Sequence, residues 1–114
     1  MLAKNYKIQK KKEVEAVFKN GRSSFDDIVG VKILPTAQGN SRFVVVVSTK
    51  VSKKAIERNR VKRKLSEICR LSLTRLAAGN DFFILALPAS VQKTYRELEN
   101  SLLRHFKKLG VYKQ

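Results

Sequence analysis

Acidic residues are scarce in this chain of 114 residues, which has nine Asp and Glu against 25 Lys and Arg and a formal net charge of +16. A compact domain with that charge repels itself, and a polyanion relieves the repulsion. Because neutralised phosphates release condensed counterions, nucleic acid is the partner that the charge favours. Charge alone leaves two alternatives open, an anionic membrane surface and a basic protein without a polyanionic partner.

Cysteine and long hydrophobic runs are also nearly missing. A single cysteine, Cys69, excludes an internal disulfide and gives no sign of secretion. The longest apolar run, residues 43–47, is far shorter than the ~18 residues that span a bilayer, and residues 1–7 lack a signal-peptide core. Hydrophobic residues make up 43% of the chain, which suffices for one modest core. We therefore expect one cytoplasmic domain over residues 1–114, with no membrane partner.

The residues that a nuclease would need are sparse. An autonomous nuclease requires paired acids for metal ions or histidines for proton transfer. The chain has one histidine, His105, its acids are scattered without metal-ligand spacing, and it has no glycine-rich phosphate loop. We expect no catalytic residue and no metal ligand, with His105 half-buried and structural, Cys69 in the core, and Glu13 at a helix start.

Apolar periodicity and turn residues predict the order helix, two or three strands, helix, strand, helix. The predicted elements are a helix over 10–20, a weaker strand over 25–34, the strongest strand over 42–48, a long helix over 52–77, a strand over 81–87, and a last helix opened by a Thr94–Glu97 capping box. The β-branched run in 42–48 predicts a central strand buried on both faces. A strand, a helix and a second buried strand imply a crossover within one mixed sheet of an α+β sandwich.

Basic residues crowd the start of the long helix, where Lys53, Lys54 and Arg58 lie. A helix N-terminus already carries about half a positive charge, so each cation there costs a few tenths of a kcal/mol. A bound phosphate would reverse that cost, because free amides and cations would face one anion. The alternative interpretation is a solvated charged face.

The same stretch carries a family resemblance. Residues 58–63, Arg-Asn-Arg-Val-Lys-Arg, resemble the RNR signature R-N-R-x-K-R of the bacterial ribonuclease P protein family. The signature follows a Val-rich strand ending in Ser-x-Lys (residues 48–50), as it does in the family. Residues 17–23, Val-Phe-Lys-Asn-Gly-Arg-Ser, are similar to the family's V-F-K-x-G-R-S. The strand at 81–88 and the helix after it match the family's ending, so the likeness covers nearly the whole chain.

The resemblance implies a function and a fold. In that family a large RNA binds Mg²⁺ and hydrolyses the phosphodiester, while the protein assists removal of the 5′ leader from precursor tRNA. The RNR helix packs on the catalytic RNA, and a cleft between the first helix and the sheet holds the single-stranded leader. The fold would resemble domain 2 of ribosomal protein S5, with a left-handed crossover that general handedness rules would not predict. The protein would be a monomer, bound one to one with the RNA.

Site residues follow by matching positions. The residues expected to contact the catalytic RNA are Arg58, Asn59, Arg60, Lys62 and Arg63, with forked guanidiniums on phosphates. The residues expected in the leader cleft are Phe18, Ser48, Lys50 and Lys54, followed by Arg42, Arg22 and Val14. Single-stranded RNA stacks its bases on aromatics while cations follow its backbone, although Phe18 suits core packing equally well.

Two positions depart from the family pattern. Val14 stands where the family has Phe, and Lys32 replaces an aromatic on the second strand. The cleft is therefore expected to be less aromatic and more electrostatic, and Phe25 is a candidate replacement. A ribosomal or ribosome-assembly protein, with the same charge, size and S5-like architecture, stays as the alternative function.

Overall fold

The computed structural model describes residues 2, 4–36 and 39–113. The helices and strands in these residues are α1 (Lys11–Asn20), β1 (Arg22–Phe25), β2 (Val29–Pro35), β3 (Arg42–Val46), α2 (Ala55–Ser72), β4 (Asn80–Ala86) and α3 (Tyr95–Lys108). Short 3₁₀ turns occupy Lys4–Tyr6, Leu73–Arg75 and Pro88–Gln92. The predicted order of elements is confirmed. Within these residues no helix is long and apolar enough to span a bilayer.

The four strands form one mixed sheet in the order β1-β2-β4-β3. The β1–β2 and β2–β4 pairs are antiparallel, whereas β3 and β4 run parallel. Parallel neighbours need a long connection, and here the chain passes through α2 between β3 and β4. The predicted α+β class and the crossover within a mixed sheet are confirmed.

The strand predicted over 25–34 begins too early, because β2 starts at Val29 and a hairpin joins it to β1. The turn between β1 and β2 is held by Asp26, whose Oδ1 accepts the amides of Ile28 and Val29 at 2.7 and 2.9 Å. The Asp26 amide also donates to the Val29 carbonyl at 3.1 Å. An aspartate that accepts backbone amides two and three residues ahead closes a tight turn, and this signal was missed.

The central position predicted for the strand at 42–48 is also wrong. β3 lies at the edge of the sheet, and β4 takes the inner position between β2 and β3. The outer edge of β3 is partly paired, since the Ile8 amide donates to the Phe43 carbonyl at 2.9 Å. The β-branched run reflects two covered faces, and side-chain burial carries no information on which neighbours share the backbone hydrogen bonds.

Helices α2 and α3 cover one face of the sheet and enclose the main core. Helical spacing predicts one apolar stripe on the long helix, and its six members are all buried: Val61, Leu65, Ile68, Cys69, Ser72 and Leu76. Leu76 lies beyond the end of α2, and Ser66 is buried on α2 without having been predicted. The α-helix is shorter than the predicted 52–77, because it ends at Ser72 and continues as the turn Leu73–Arg75. The capping box of α3 is present, with Thr94 Oγ1 accepting the Glu97 amide at 3.2 Å and Glu97 Oε1 accepting the Thr94 amide at 3.0 Å.

Helix α1 packs on the opposite face of the sheet, over a smaller apolar cluster. Ile8, Val17 and Phe83 are its buried members, with Val14 among the partly buried residues around them. The chain leaves α1 at Gly21, where an added Cβ would lie 2.5 Å from the Val17 carbonyl oxygen and 2.7 Å from that of Ile33. Glycine is required here by the close approach of helix and sheet. The two faces of the sheet are thus covered by different helices.

Candidate nucleic-acid interface

The loop before α2 is shaped by Ser52. Its hydroxyl donates to a carboxylate oxygen of Glu57 and accepts the Lys54 amide at 3.1 Å. Arg58 Nη1 donates to the Ser52 carbonyl oxygen at 2.9 Å. The helix begins after Lys54, whose side chain makes no capping bond. A helix start without a side-chain cap, surrounded by cations, suits an anion.

The residues of the RNR segment, 58–63, are divided between the buried and the exposed face of α2. Val61 is 3% exposed in the main core, as its place in the stripe predicted. Four of the five predicted RNA contacts are exposed on the outer surface of α2, namely Asn59, Arg60, Lys62 and Arg63. Arg58 is only partly exposed because its guanidinium folds back onto the preceding loop. The helix therefore presents a continuous basic surface in its first half.

Ile56 belongs to this surface and was not predicted. Its side chain is 73% exposed, although isoleucine is among the residues most often buried. It lines a shallow pocket of about 450 Å³ together with Asn59, Lys62, Arg63 and Ser66. An apolar side chain beside an amide and two cations suits the mixed surface of a folded RNA. The signal in the sequence was its place one turn before the basic residues, off the buried stripe.

On the other side of the sheet, Phe18 lies at the outer margin of α1. Its side chain is 49% exposed, and its ring makes a T-shaped contact with the Phe83 ring at a centroid distance of 5.4 Å. The Nζ of Lys32 lies 4.1 Å from the centre of the Phe18 ring and donates to the Phe18 carbonyl oxygen at 2.8 Å. Phe18 is therefore a surface aromatic beside a cation, the arrangement that single-stranded RNA uses.

Three other predicted cleft residues, Ser48, Lys50 and Lys54, lie in the loop that follows β3. Ser48 follows the strand by two residues and accepts the Lys50 amide at 3.3 Å. The side chains of Lys50 and Lys54 are exposed in the loop that leads to α2. Val14 packs partly buried in the α1 cluster. The structure thus places Val14 and Phe18 at the sheet face that α1 half covers, and Ser48, Lys50 and Lys54 in the loop between β3 and α2.

Arg42 does not reach the cleft as a free cation. It is 8% exposed, and its Nη2 lies 2.8 Å from Asp81 Oδ2 and 2.9 Å from Glu13 Oε2. The hydrogen bonds that Arg42 donates to Asp81, and then those to Glu13, raise the pKa of Arg42. The hydrogen bond from Arg42 correspondingly lowers the pKa of Glu13. The placement of Arg42 as a leader contact is not supported, because this network ties α1 to β3 and β4.

Arg22 also lies away from the cleft. It is paired with Ile33, whose side chain is in the main core, so Arg22 belongs to the face covered by α3. Its Nη2 donates to the Leu109 carbonyl oxygen at 3.0 Å, at the end of α3. A cation at a helix C-terminus complements the helix dipole, so the role that the structure gives Arg22 is a cap.

The titratable residues outside these surfaces are structural. His105 is 5% exposed, burial lowers its pKa, and its Nδ1 lies 2.7 Å from Ser24 Oγ. Burial opposes ionisation of Asp26, but bonds from the Ser101 hydroxyl and two backbone amides prevail and lower its pKa to about 2. Burial raises the pKa of Cys69 to about 12, which makes it a core thiol. Of the residues described, no three His, Cys, Asp or Glu lie together as a metal site.

These features define a small basic α+β protein with one exposed cationic helix and one half-covered sheet face. The family model of Ribonuclease P matches residues 2–110. The chain belongs to the ribonuclease P protein family.

Individual relatives agree with this assignment. The ribonuclease P protein component of Clostridium botulinum (strain Loch Maree) is 36% identical over 110 residues, covering 96% of this chain and 98% of the relative. The ribonuclease P protein component of Exiguobacterium sibiricum is 35% identical over 114 residues, covering 99% of this chain and 97% of the relative. The solved ribonuclease P protein of Staphylococcus aureus superposes with a TM-score of 0.85 at 23% identity, covering 94% and 97%. This last likeness concerns the fold alone.

Proposed function

We propose that this protein is the subunit of a ribonuclease P ribonucleoprotein that binds the catalytic RNA and the 5′ leader of precursor tRNA. In this role it supports Mg²⁺-dependent removal of the leader by the RNA and is itself the non-catalytic part of an endoribonuclease. The observation that carries the proposal is the exposed basic face of residues 58–63 around buried Val61, in a chain that matches the family over residues 2–110.

The two surfaces have separate tasks in this proposal. The first half of α2 docks on the folded catalytic RNA through Asn59, Arg60, Lys62 and Arg63, where guanidiniums fork onto phosphates. Arg58 shapes the loop before the helix as well as adding charge, because it already donates to Ser52. The leader lies on the other face, between α1 and the basic loop.

The leader surface combines stacking with charge. Phe18 offers an exposed ring, and Lys32 sets a cation beside it where the family has an aromatic. Ser48, Lys50 and Lys54 extend the surface toward α2, so that cations follow the phosphate backbone. Arg42 contributes by holding α1 on the sheet.

Further features of the proposal come from the family resemblance. Residues 1–114 act as one RNA-binding domain, a monomer bound one to one with the RNA in the cytoplasm. Mg²⁺ is held mainly by the RNA and supplies charge stabilisation at the scissile phosphate. The crossover around α2 is left-handed and the fold belongs with domain 2 of ribosomal protein S5.

The deciding experiment is precursor-tRNA cleavage by the organism's own catalytic RNA at low Mg²⁺, with and without the protein. We expect the protein to stimulate cleavage at the mature 5′ end, because it tightens binding of the leader and screens phosphate repulsion. No stimulation, combined with stable association with ribosomes, would favour the ribosomal alternative. Cleavage by the repurified protein without RNA would instead favour an autonomous nuclease.

A further inference from the structure

An apolar row crosses all four strands on the face that α1 half covers. The strand register pairs Phe25 with Gly30, Gly30 with Leu85, and Leu85 with Val46. Directly paired residues project from the same face, so these four positions form one line across the sheet. Strands about 4.8 Å apart make this line about 14 Å long. Leu85 and Val46 are only partly buried, so part of the row lies open.

Phe25 ends this row because Gly30 leaves room for its ring. A Cβ added at Gly30 would lie 2.1, 2.3 and 2.6 Å from three carbons of the Phe25 ring. The ring therefore packs directly on the Gly30 backbone, where any larger residue would displace it. Phe25 nevertheless keeps 45% of its surface exposed. A positioned but exposed aromatic is suited to stacking on a flat partner.

A second exposed aromatic and a cation lie beside the row. Lys32 is two residues along β2 from Gly30 and lies on the same face, with its Nζ over the Phe18 ring. The surface thus carries an aromatic ring on β1, an ammonium on β2 and an aromatic ring on α1. Alternation of rings and cations is the pattern that grips single-stranded nucleic acid.

We propose that Phe25, seated on Gly30, stacks on a nucleobase and forms the outer end of the leader surface. The inference rests on the proposed function and names a residue that the function does not require. Single-stranded RNA is the occupant because its phosphates complement Lys32, Lys50 and Lys54, whereas a second copy of this basic chain would repel them.

The position of Phe25 sets the order of contacts along the leader. The basic loop and α2 leave the sheet at β3, whereas Phe25 lies on β1 at the opposite edge. A leader that extends from RNA docked on α2 therefore reaches Phe25 last. At about 3.4 Å per stacked nucleotide, the row of about 14 Å corresponds to about four nucleotides.

A leader-length series tests this order in the reconstituted holoenzyme. The substrates are precursor tRNAs with leaders of about one to eight nucleotides and a non-hydrolysable scissile linkage. For leaders of about four nucleotides or more, Phe25→Ala should weaken binding about five- to tenfold, while shorter leaders bind as in wild type. Phe25→Tyr should restore the affinity, and Gly30→Ala, which unseats the ring, should lose it.

Controls separate stacking from folding. Leu71→Ala removes an apolar side chain that is 55% exposed in the second half of α2 and should match wild type at every leader length. A fluorescent base analogue in the outer leader should be quenched on binding to wild type and less quenched with Phe25→Ala. Melting temperatures of the Phe25 variants should stay near wild type, because Phe25 is half exposed.

Three outcomes would overturn the inference. Equal affinities of wild type and Phe25→Ala for long leaders would exclude the contact, while the proposed function would stand if wild type still gained from leader length. A uniform loss at all lengths would assign Phe25 to the fold or to the docking of the catalytic RNA. Dimerisation of the free protein that Phe25→Ala abolishes would assign the row to a second copy. If the affinity of the wild-type holoenzyme did not increase with leader length, the leader-binding part of the proposed function would itself be refuted.

Discussion

The basic surface of α2 can be tested by removing two of its cations without disturbing the fold. Arg60 and Arg63 are both exposed, and neither makes a hydrogen bond or ion pair with another residue in the described part of the chain. Changing both to glutamine should therefore alter the free energy of unfolding by less than about 0.5 kcal/mol. Any loss of RNA affinity would then belong to the interface.

The expected loss follows from counterion release. Each neutralised phosphate contributes about 0.9 to the slope of log affinity against log salt on duplex nucleic acid, so losing two contacts lowers the slope by about 1.8. Since about 0.8 logarithmic units separate 1 M from 0.15 M salt, affinity should fall about 30-fold at 0.15 M. At 1 M salt the Arg60→Gln/Arg63→Gln variant and wild type should bind nearly alike.

The assay is a titration of the catalytic RNA at several salt concentrations between about 0.1 and 1 M, the range over which the slope is read. The matched control is Arg96→Gln with Lys108→Gln, two exposed cations of α3 whose loss lowers the net charge equally, from +16 to +14. The control should keep the wild-type slope apart from a small long-range effect. A test variant whose slope parallels wild type would refute the assignment of α2 as the RNA dock.

Three further predictions concern the fold. Asp81→Asn leaves buried Arg42 with Glu13 alone and should lower the unfolding free energy by about 3 kcal/mol in urea titrations; a loss below about 1 kcal/mol would show that the network adds little. The pKa of Asp26 is about 2 in the folded protein against the ordinary value of 3.8. The ionised carboxylate therefore stabilises the folded state fully above pH 3.8, and this stabilisation is lost as the pH falls toward 2. The loss should be about 2 kcal/mol in unfolding curves and absent in Asp26→Asn, and equal acid sensitivity of both proteins would contradict it. Thr94→Ala removes the cap of α3 and should lower the melting temperature by about 4 °C, for a cost of about 1 kcal/mol, whereas Thr94→Ser should not.

Periodic patterns in the sequence predicted the three helices, the strands that became β3 and β4, and the inner face of α2. The apolar spacing of α2 named all of its buried residues except Ser66, and the Thr94–Glu97 pair marked the start of α3. The same spacing turned the polar residues of 58–63 outward, because a helix that buries one stripe must expose the other side. These inferences succeeded because each depends on neighbours within one or two turns of the chain.

Only the tertiary structure decided which elements are neighbours and which charges are free. A buried run does not distinguish an edge strand covered on both faces from an inner one, so β3 was assigned the place that β4 holds. The partners of Arg42 and Arg22 lie 39 and 87 residues away along the chain, in Asp81 and Leu109. A cation in a sequence looks available to a ligand until the fold brings a carboxylate or a helix end to it.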